Sequence, residues 1–281
     1  MTNNRTDILN TIFPEIKPII GMIHLRPLPG APLYNPDKQS VGEMVDIAVK
    51  EAKMLEKAGV DGLQIENIWD YPYLKGKDIS YETVCAMTRA AMKVKEAVDL
   101  PIGINCHLNG GEAALAVAVA VEAKWIRIFE FVNAYISHTG LTEGIGGKLA
   151  RYRSFLKAED IKFFSDVNVK HGSHFIISDR SVSAQAHDAE TEGTDAIIIT
   201  GFETGKAPTA EKVKTISDSV KCPTIIGSGT TSDNVKGLLT YADAAIVGSY
   251  FKKDNNWKNP IDEERTSMFM NKVKELRKEI G

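Results

Sequence analysis

The chain has 281 residues, with Lys+Arg 34 against Asp+Glu 37, a formal net charge of −3. Apolar residues at 43% and charged residues at 25% are ordinary for a folded globule, which excludes a disordered or coiled-coil chain. The near balance of charge leaves no electrostatic footprint for nucleic acid and no polybasic tail for a membrane surface, so neither is an expected partner.

The first 17 residues read as a polar extension: Asn3, Asn4, Arg5 and Asp7 have no apolar segment behind them, so no secretory leader is expected. Eight short apolar runs follow, at 18–24, 62–66, 101–105, 125–129, 161–166, 196–200, 223–227 and 244–248. They are nearly continuous rather than alternating, the pattern of parallel strands covered on both faces. Helical segments lie between them. The clearest has apolar residues at Val41, Met44, Val45, Ala48, Ala52 and Leu55, opens with the capping box Ser40/Glu43 and stops at Gly59. Others are expected at about 81–98, 112–121, 181–192, 210–220 and 232–239, with a terminal helix at 263–279. Strict alternation of this kind predicts an α/β fold, a (β/α)₈ TIM barrel with a C-terminal helix, occupying residues 1–281 as one domain. The Gly-rich stretch 131–160 reads as one long mobile loop after the fourth strand. The longest apolar stretch, 113–121, is far short of the roughly 20 residues a spanning helix needs. Cys85, Cys106 and Cys222 are odd in number and scattered, which argues for a reducing compartment and a cytoplasmic protein.

Barrel enzymes keep their chemistry at the C-terminal ends of the strands, so the polar residues there are the candidates. The first strand ends in His24 and Arg26, the second in Glu66 and Asn67, the third in Asn105 and His107. The fourth ends near Glu130 and Asn133, and the fifth offers Asp166, Asn168, Lys170 and His171. Period-two geometry places Asp166, Asn168 and Lys170 on one face if the strand stays regular. Any one of these alone would be a capping or structural group. Two acids, a Lys and several His converging on one mouth are harder to explain by packing. Glu66, Asp166, Lys170, His171 and His24 are therefore the catalytic candidates. Arg26, Asn67, Asn105, His107 and Asn168 are the substrate-binding ones.

A second feature is the run Gly227-Ser228-Gly229-Thr230-Thr231 after the seventh strand, matched by Gly248-Ser249 after the eighth. Small residues there let backbone N–H groups approach an anion, the usual barrel phosphate site. A tight turn with a Ser/Thr cap is the plainer alternative. Gly201, Thr204 and Gly205 after the sixth strand form a neighbouring loop that either contacts the same anion or simply turns the chain. No cofactor is required by these residues. A divalent metal on Glu66, Asp166 and His171 is the alternative to a hydrogen-bonded network at the mouth. Cys106 shares the parity of Ile104, as a buried neighbour would.

These segments resemble the BtpA/SgcQ family. The resemblance is carried by 20–30, by 62–72 with Glu66, Asn67 and Asp70, by Asp166-Val167-Asn168-Val169-Lys170-His171, by 200–205, by 227–234, and by 242–249 with Asn259-Pro260-Ile261-Asp262. It implies a barrel of the phosphate-binding group. Some members are linked to photosystem I biogenesis, and others sit beside sugar phosphotransferase and sugar-phosphate enzyme genes. This chain departs from the family at His107, Leu108, Asn109 and Gly110, at Phe129 and Glu130, and at Ser137-His138-Thr139, so the third- and fourth-strand part of the mouth is altered. The leading expectation is an enzyme doing acid–base, lyase or isomerase chemistry on a phosphorylated small molecule, a sugar phosphate or nucleotide. The alternatives are a non-catalytic assembly or ligand-sensing factor and a metal-dependent hydrolase. An oligomer of identical chains is left open.

Overall fold

The computed structural model describes residues 5–201, 203 and 205–280. Ten strands are present among them: β1 Ile19–His24, β2 Gly62–Glu66, β3 Ile102–Asn105, β4 Trp125–Ile128, β5 Ala134–Ser137, β6 Gly140–Glu143, β7 Lys162–Val167, β8 Ala196–Ile199, β9 Thr224–Ile226 and β10 Ala244–Val247. Eight close into a parallel barrel in the order β1-β10-β9-β8-β7-β4-β3-β2. These are the eight apolar runs of the sequence, with bounds that agree to within one residue at each end. Every barrel strand is buried almost throughout, which is why none of them alternates with polar residues. The protein is an α/β TIM barrel with a C-terminal helix.

The capping box forms as the sequence requires. Ser40 Oγ accepts from the Glu43 N–H at 3.2 Å, Glu43 Oε2 accepts from the Ser40 N–H at 2.7 Å, and the helix Val41–Ala58 ends on Gly59 at φ 89°. The expected 232–239 helix is shorter, Val235–Leu239, because the Asn234 side chain accepts from the Thr231 N–H and donates to the Gly229 carbonyl. That turn spends residues the helix would have used. The terminal helix Glu263–Ile280 packs on Val41–Ala58, and its Arg277 reaches Asp61 beneath β2 at 2.5 Å. Among the described residues no helix is long and apolar enough to cross a membrane.

Residues 131–160 are not one loop. They hold the antiparallel hairpin β5–β6 and the helix Gly146–Phe155. The hairpin turns at Gly140 (φ 85°) and is pinned to the segment after β7 by paired backbone bonds between Ile136 and Ser173, 2.8 and 2.9 Å.

Side-chain alternation divides the barrel interior into layers. The lower inward positions are apolar: Ile20, Met22, Trp125, Phe164, Ile198, Ile225 and Ile246 form one buried cluster with Leu9 and Phe13, which close the bottom. Trp125 stacks on Phe164 at 5.7 Å and donates to Gln64 Oε1 at 3.1 Å. Gly103 must be glycine, since a Cβ there would fall inside the Trp125 indole. The outward faces of the strands bury a separate, larger cluster against the helices, and Cys106 belongs to it. One step up from Trp125 and Phe164, the inward positions turn polar: His24, Glu66, Asn105, Arg127, Asp166 and Thr200 are all buried there. The site is that layer.

Candidate functional site

Arg127, the last inward residue of β4, and Asp166 on β7 meet across adjacent strands. Arg127 Nε donates to Asp166 Oδ2 at 2.7 Å and Nη2 to Oδ1 at 2.8 Å, so both carboxylate oxygens are engaged. The pair is at most 4% exposed at either side chain.

Glu66 occupies the middle of the layer. Its Oε2 accepts from Asn105 Nδ2 at 3.0 Å and lies 3.6 Å from His107 Nε2, while Oε1 lies 3.4 Å from His24 Nε2. Burial opposes its ionisation, but the surrounding His107, His24 and Arg127 outweigh that and hold the carboxyl below its ordinary range. His24 has acceptors at both ring nitrogens, since the Trp257 carbonyl oxygen lies 3.2 Å from Nδ1. Burial pushes its pKa down to about 4 against the pull of Glu66, and the Lys252 cation adds to the fall. At neutral pH the ring therefore carries one proton between two acceptors.

Lys170 stands beside this layer. Burial, helped by the Arg127 cation, pushes its ammonium down to about 8, although Glu66 and Asp166 pull the other way. Glu130, just beyond β4, is pushed up to about 9 by burial and by the Asp166 carboxylate. Cys106 stays a thiol, its pKa raised chiefly by burial.

Two cavities open above the layer, sharing Glu66, Ile68, Arg127 and Lys170 as a common wall. The smaller, about 40 Å³, is lined by Gly205, Gly227, Ser228, Gly229, Gly248 and Ser249 together with His24 and Met22. The larger, about 290 Å³, is walled by Tyr73, His107, Leu108, Phe129, Tyr135, Val169 and Trp257, with Ser137, His138 and His171 also lining it.

The sequence candidates fall into distinct places. Glu66, His24, Asn105 and Asp166 are brought together in the buried layer, with Lys170 and His107 against it. Asn105 serves the Glu66 carboxylate. Asn67 is spent on scaffolding: its Oδ1 accepts from the His107 N–H at 2.8 Å and its Nδ2 donates to Asp70 at 2.9 Å. Arg26 lies over the Trp69 ring and donates to the Lys258 carbonyl at 3.0 Å. The expected common face of Asp166, Asn168 and Lys170 does not form, because Asn168 adopts φ 52° just after β7 and its Oδ1 accepts from Lys212 at 3.3 Å. His171, at φ 62°, is exposed on the rim of the larger cavity.

Of the loop candidates, Ser228 staples one loop to the next: its hydroxyl accepts from the Gly201 N–H and donates to the Lys206 carbonyl, both at 3.0 Å. Gly229 has φ 71°, and a Cβ there would strike the Lys206–Ala207 backbone. Close packing thus explains part of this glycine pattern. Thr230 is 1% exposed, and its hydroxyl has no partner among the described residues. Thr204 lies outside the described residues. Glu66, Asp166 and His171 are not assembled as a metal site, and among the described residues no group of three or more His, Cys, Asp or Glu is so arranged.

Arg127 and, apart from His107, the aromatic wall are absent from the sequence candidates. Arg127 was legible: two residues after inward Trp125, at the end of a strand, it must point into the mouth. The wall was not, because Tyr73 and Tyr135 come from outside the barrel strands.

The BtpA family model matches residues 15–275. The chain belongs to the BtpA family. A relative from Methanocaldococcus jannaschii is 40% identical over 93% of this chain and 97% of its own. The photosystem I biogenesis protein BtpA of Synechocystis is 33% identical over 96% of this chain and 92% of its own. Among solved structures, this BtpA-family barrel is similar to the (S)-3-O-geranylgeranylglyceryl phosphate synthase of Thermoplasma acidophilum, with a TM-score of 0.60 at 17% identity, covering 98% of this chain and 100% of that one. The thiamine phosphate pyrophosphorylase of Pyrococcus furiosus matches with a TM-score of 0.54 at 15% identity, over 92% and 96%. At these identities the likeness shows the fold.

Proposed function

We propose that the mouth binds a phosphorylated small molecule and performs acid–base chemistry of the lyase or isomerase type on it. The observation that carries this reading is the shared wall. A small compartment of glycines and serines opens directly onto Lys170, Glu66 and Arg127, which also face the larger cavity. About 40 Å³ accommodates on the order of three water-sized groups, the size of a phosphoryl group's oxygens. Two cations beside it, Lys170 and Arg127, suit an anion. The substrate named for the Thermoplasma synthase, sn-glycerol-1-phosphate, is in keeping with it.

Of the two carboxylates, Asp166 is tied through both oxygens to Arg127, so its role is to hold that cation in place. Glu66 and Lys170 carry the acid–base work. With a pKa of about 8, Lys170 is neutral in about one molecule in ten at pH 7. It can donate a proton, accept one, or attack a carbonyl as the free amine. His24, between the Glu66 carboxylate and the Trp257 carbonyl, is placed to relay protons to and from Glu66. The three free cysteines, two of them buried, also support a cytoplasmic location.

The test is thermal stabilisation by phosphate monoesters, each beside its dephosphorylated counterpart. A ligand at about 100 times its Kd adds about 2.7 kcal/mol, a rise of roughly 5–10 °C for a chain of this size. A shift that requires the phosphate supports the reading, and equal shifts with the alcohols overturn it. The second reading, a non-catalytic assembly role, is favoured by the name of the Synechocystis relative. Turnover of any stabilising ligand, abolished by Lys170→Met, excludes it.

A further inference from the structure

The larger cavity is an unusual wall for a sugar. Leu108, Phe129, Tyr135 and Val169 form a buried apolar cluster of their own, with Tyr73 packed on it, separate from both core clusters. His107 stacks on Tyr73 at 4.7 Å and meets the Phe129 ring edge-on at 4.9 Å. Hydroxyl groups brought against such surfaces lose their water without gaining partners. A flat apolar ring loses nothing and gains stacking. The volume agrees: an apolar cavity of about 150 Å³ holds benzene, so about 290 Å³ has room for two fused rings.

The polar part of the lining is Glu66, Arg127, Ser137, His138, Lys170 and His171, while His107 stands within the aromatic wall. Its side chain is 10% exposed, and neither ring nitrogen has a hydrogen-bond partner among the described residues, Glu66 Oε2 being 3.6 Å away. Both nitrogens are closed to a water-sized group, so the imidazole meets the cavity through its ring carbons, as part of the flat wall.

We infer that the ligand is a phosphate monoester whose far end is a flat aromatic ring, held among Tyr73, Phe129 and Tyr135. This rests on the phosphate reading above and deepens it. The phosphate selects the glycine–serine compartment, and the ring selects the aromatic one.

Calorimetry on the full chain with four probes tests the inference: 2-(indol-3-yl)ethyl phosphate, 2-(naphthalen-1-yl)ethyl phosphate, n-butyl phosphate and the alcohol 2-(indol-3-yl)ethanol. Both aryl phosphates are expected to bind at least tenfold tighter than n-butyl phosphate. Tyr73→Leu should weaken both aryl esters, while n-butyl phosphate changes less than twofold. If n-butyl phosphate binds as tightly as the aryl esters, the ring inference is overturned and the phosphate reading stands. If the alcohol binds as tightly as its ester, the phosphate reading fails and takes this inference with it. Binding of none of the four overturns both.

Discussion

Arg127 and Asp166 face each other from β4 and β7 through two hydrogen bonds, 2.7 and 2.8 Å, with both groups buried in the polar layer of the barrel. Removing one partner leaves the other charged, dry and alone, which costs about 3–5 kcal/mol. Arg127→Met and Asp166→Leu are each expected to lower the unfolding free energy, measured by urea titration, by that amount. The double variant should recover most of it, because both desolvation costs vanish together. Additive losses in the double variant would show that the pair is not coupled.

Acid sensitivity should centre on His24. Its folded pKa of about 4 lies below the ordinary histidine value of 6.5, so between those values the unfolded chain binds more protons than the folded one. The stability His24 contributes is complete above pH 6.5 and is lost as pH falls towards 4, up to about 3 kcal/mol in all. His24→Gln removes a titrating group from that window. The variant's unfolding free energy should change less between pH 6.5 and 5 than that of the parent chain. Parallel curves would mean His24 titrates at its ordinary value.

The barrel was legible because a strand covered on both faces needs only a short apolar run, and each such run stands between helical segments. Their place at the C-terminal ends of those runs marked His24, Glu66, Asn105 and Asp166. Legibility ended where geometry departed from the strand. Asn168 leaves the alternation at φ 52° and turns to Lys212, a residue 44 positions away. Asn67, polar and at a strand end, is consumed by Asp70 and the His107 backbone, which no local pattern reveals. The β5–β6 hairpin has strands of four residues without clear alternation, and it is held by Ser173 from a distant segment. Aromatic residues on such segments form a wall only after the chain has folded around them.

Lys170 offers a direct spectroscopic reading. Reductive methylation with ¹³C-formaldehyde gives each lysine a resonance whose shift follows its protonation. One resonance, missing in Lys170→Arg, is expected to titrate near pH 8, while exposed lysines titrate near 10.5. Asp166→Asn removes an attraction that favours the ammonium and frees the Arg127 cation beside it, so the same resonance should move to still lower pH. A Lys170 resonance titrating near 10.5 would remove the case for proton transfer by this residue at neutral pH.

Glu130 makes the opposite pH signature. It is 6% exposed, and burial with the Asp166 carboxylate nearby raises its pKa from 4.5 to about 9. Between those values the folded chain holds a proton that the unfolded chain has released, so this group's contribution to stability falls as pH rises through the window. Glu130→Gln keeps the shape and the neutral charge but has no proton to lose. The substitution is expected to stabilise the chain by up to about 5 kcal/mol at pH 8 and by under about 1 kcal/mol at pH 5. Urea unfolding of both chains at the two pH values checks this. A gain of the same size at both would assign the effect to packing rather than to the carboxyl's ionisation.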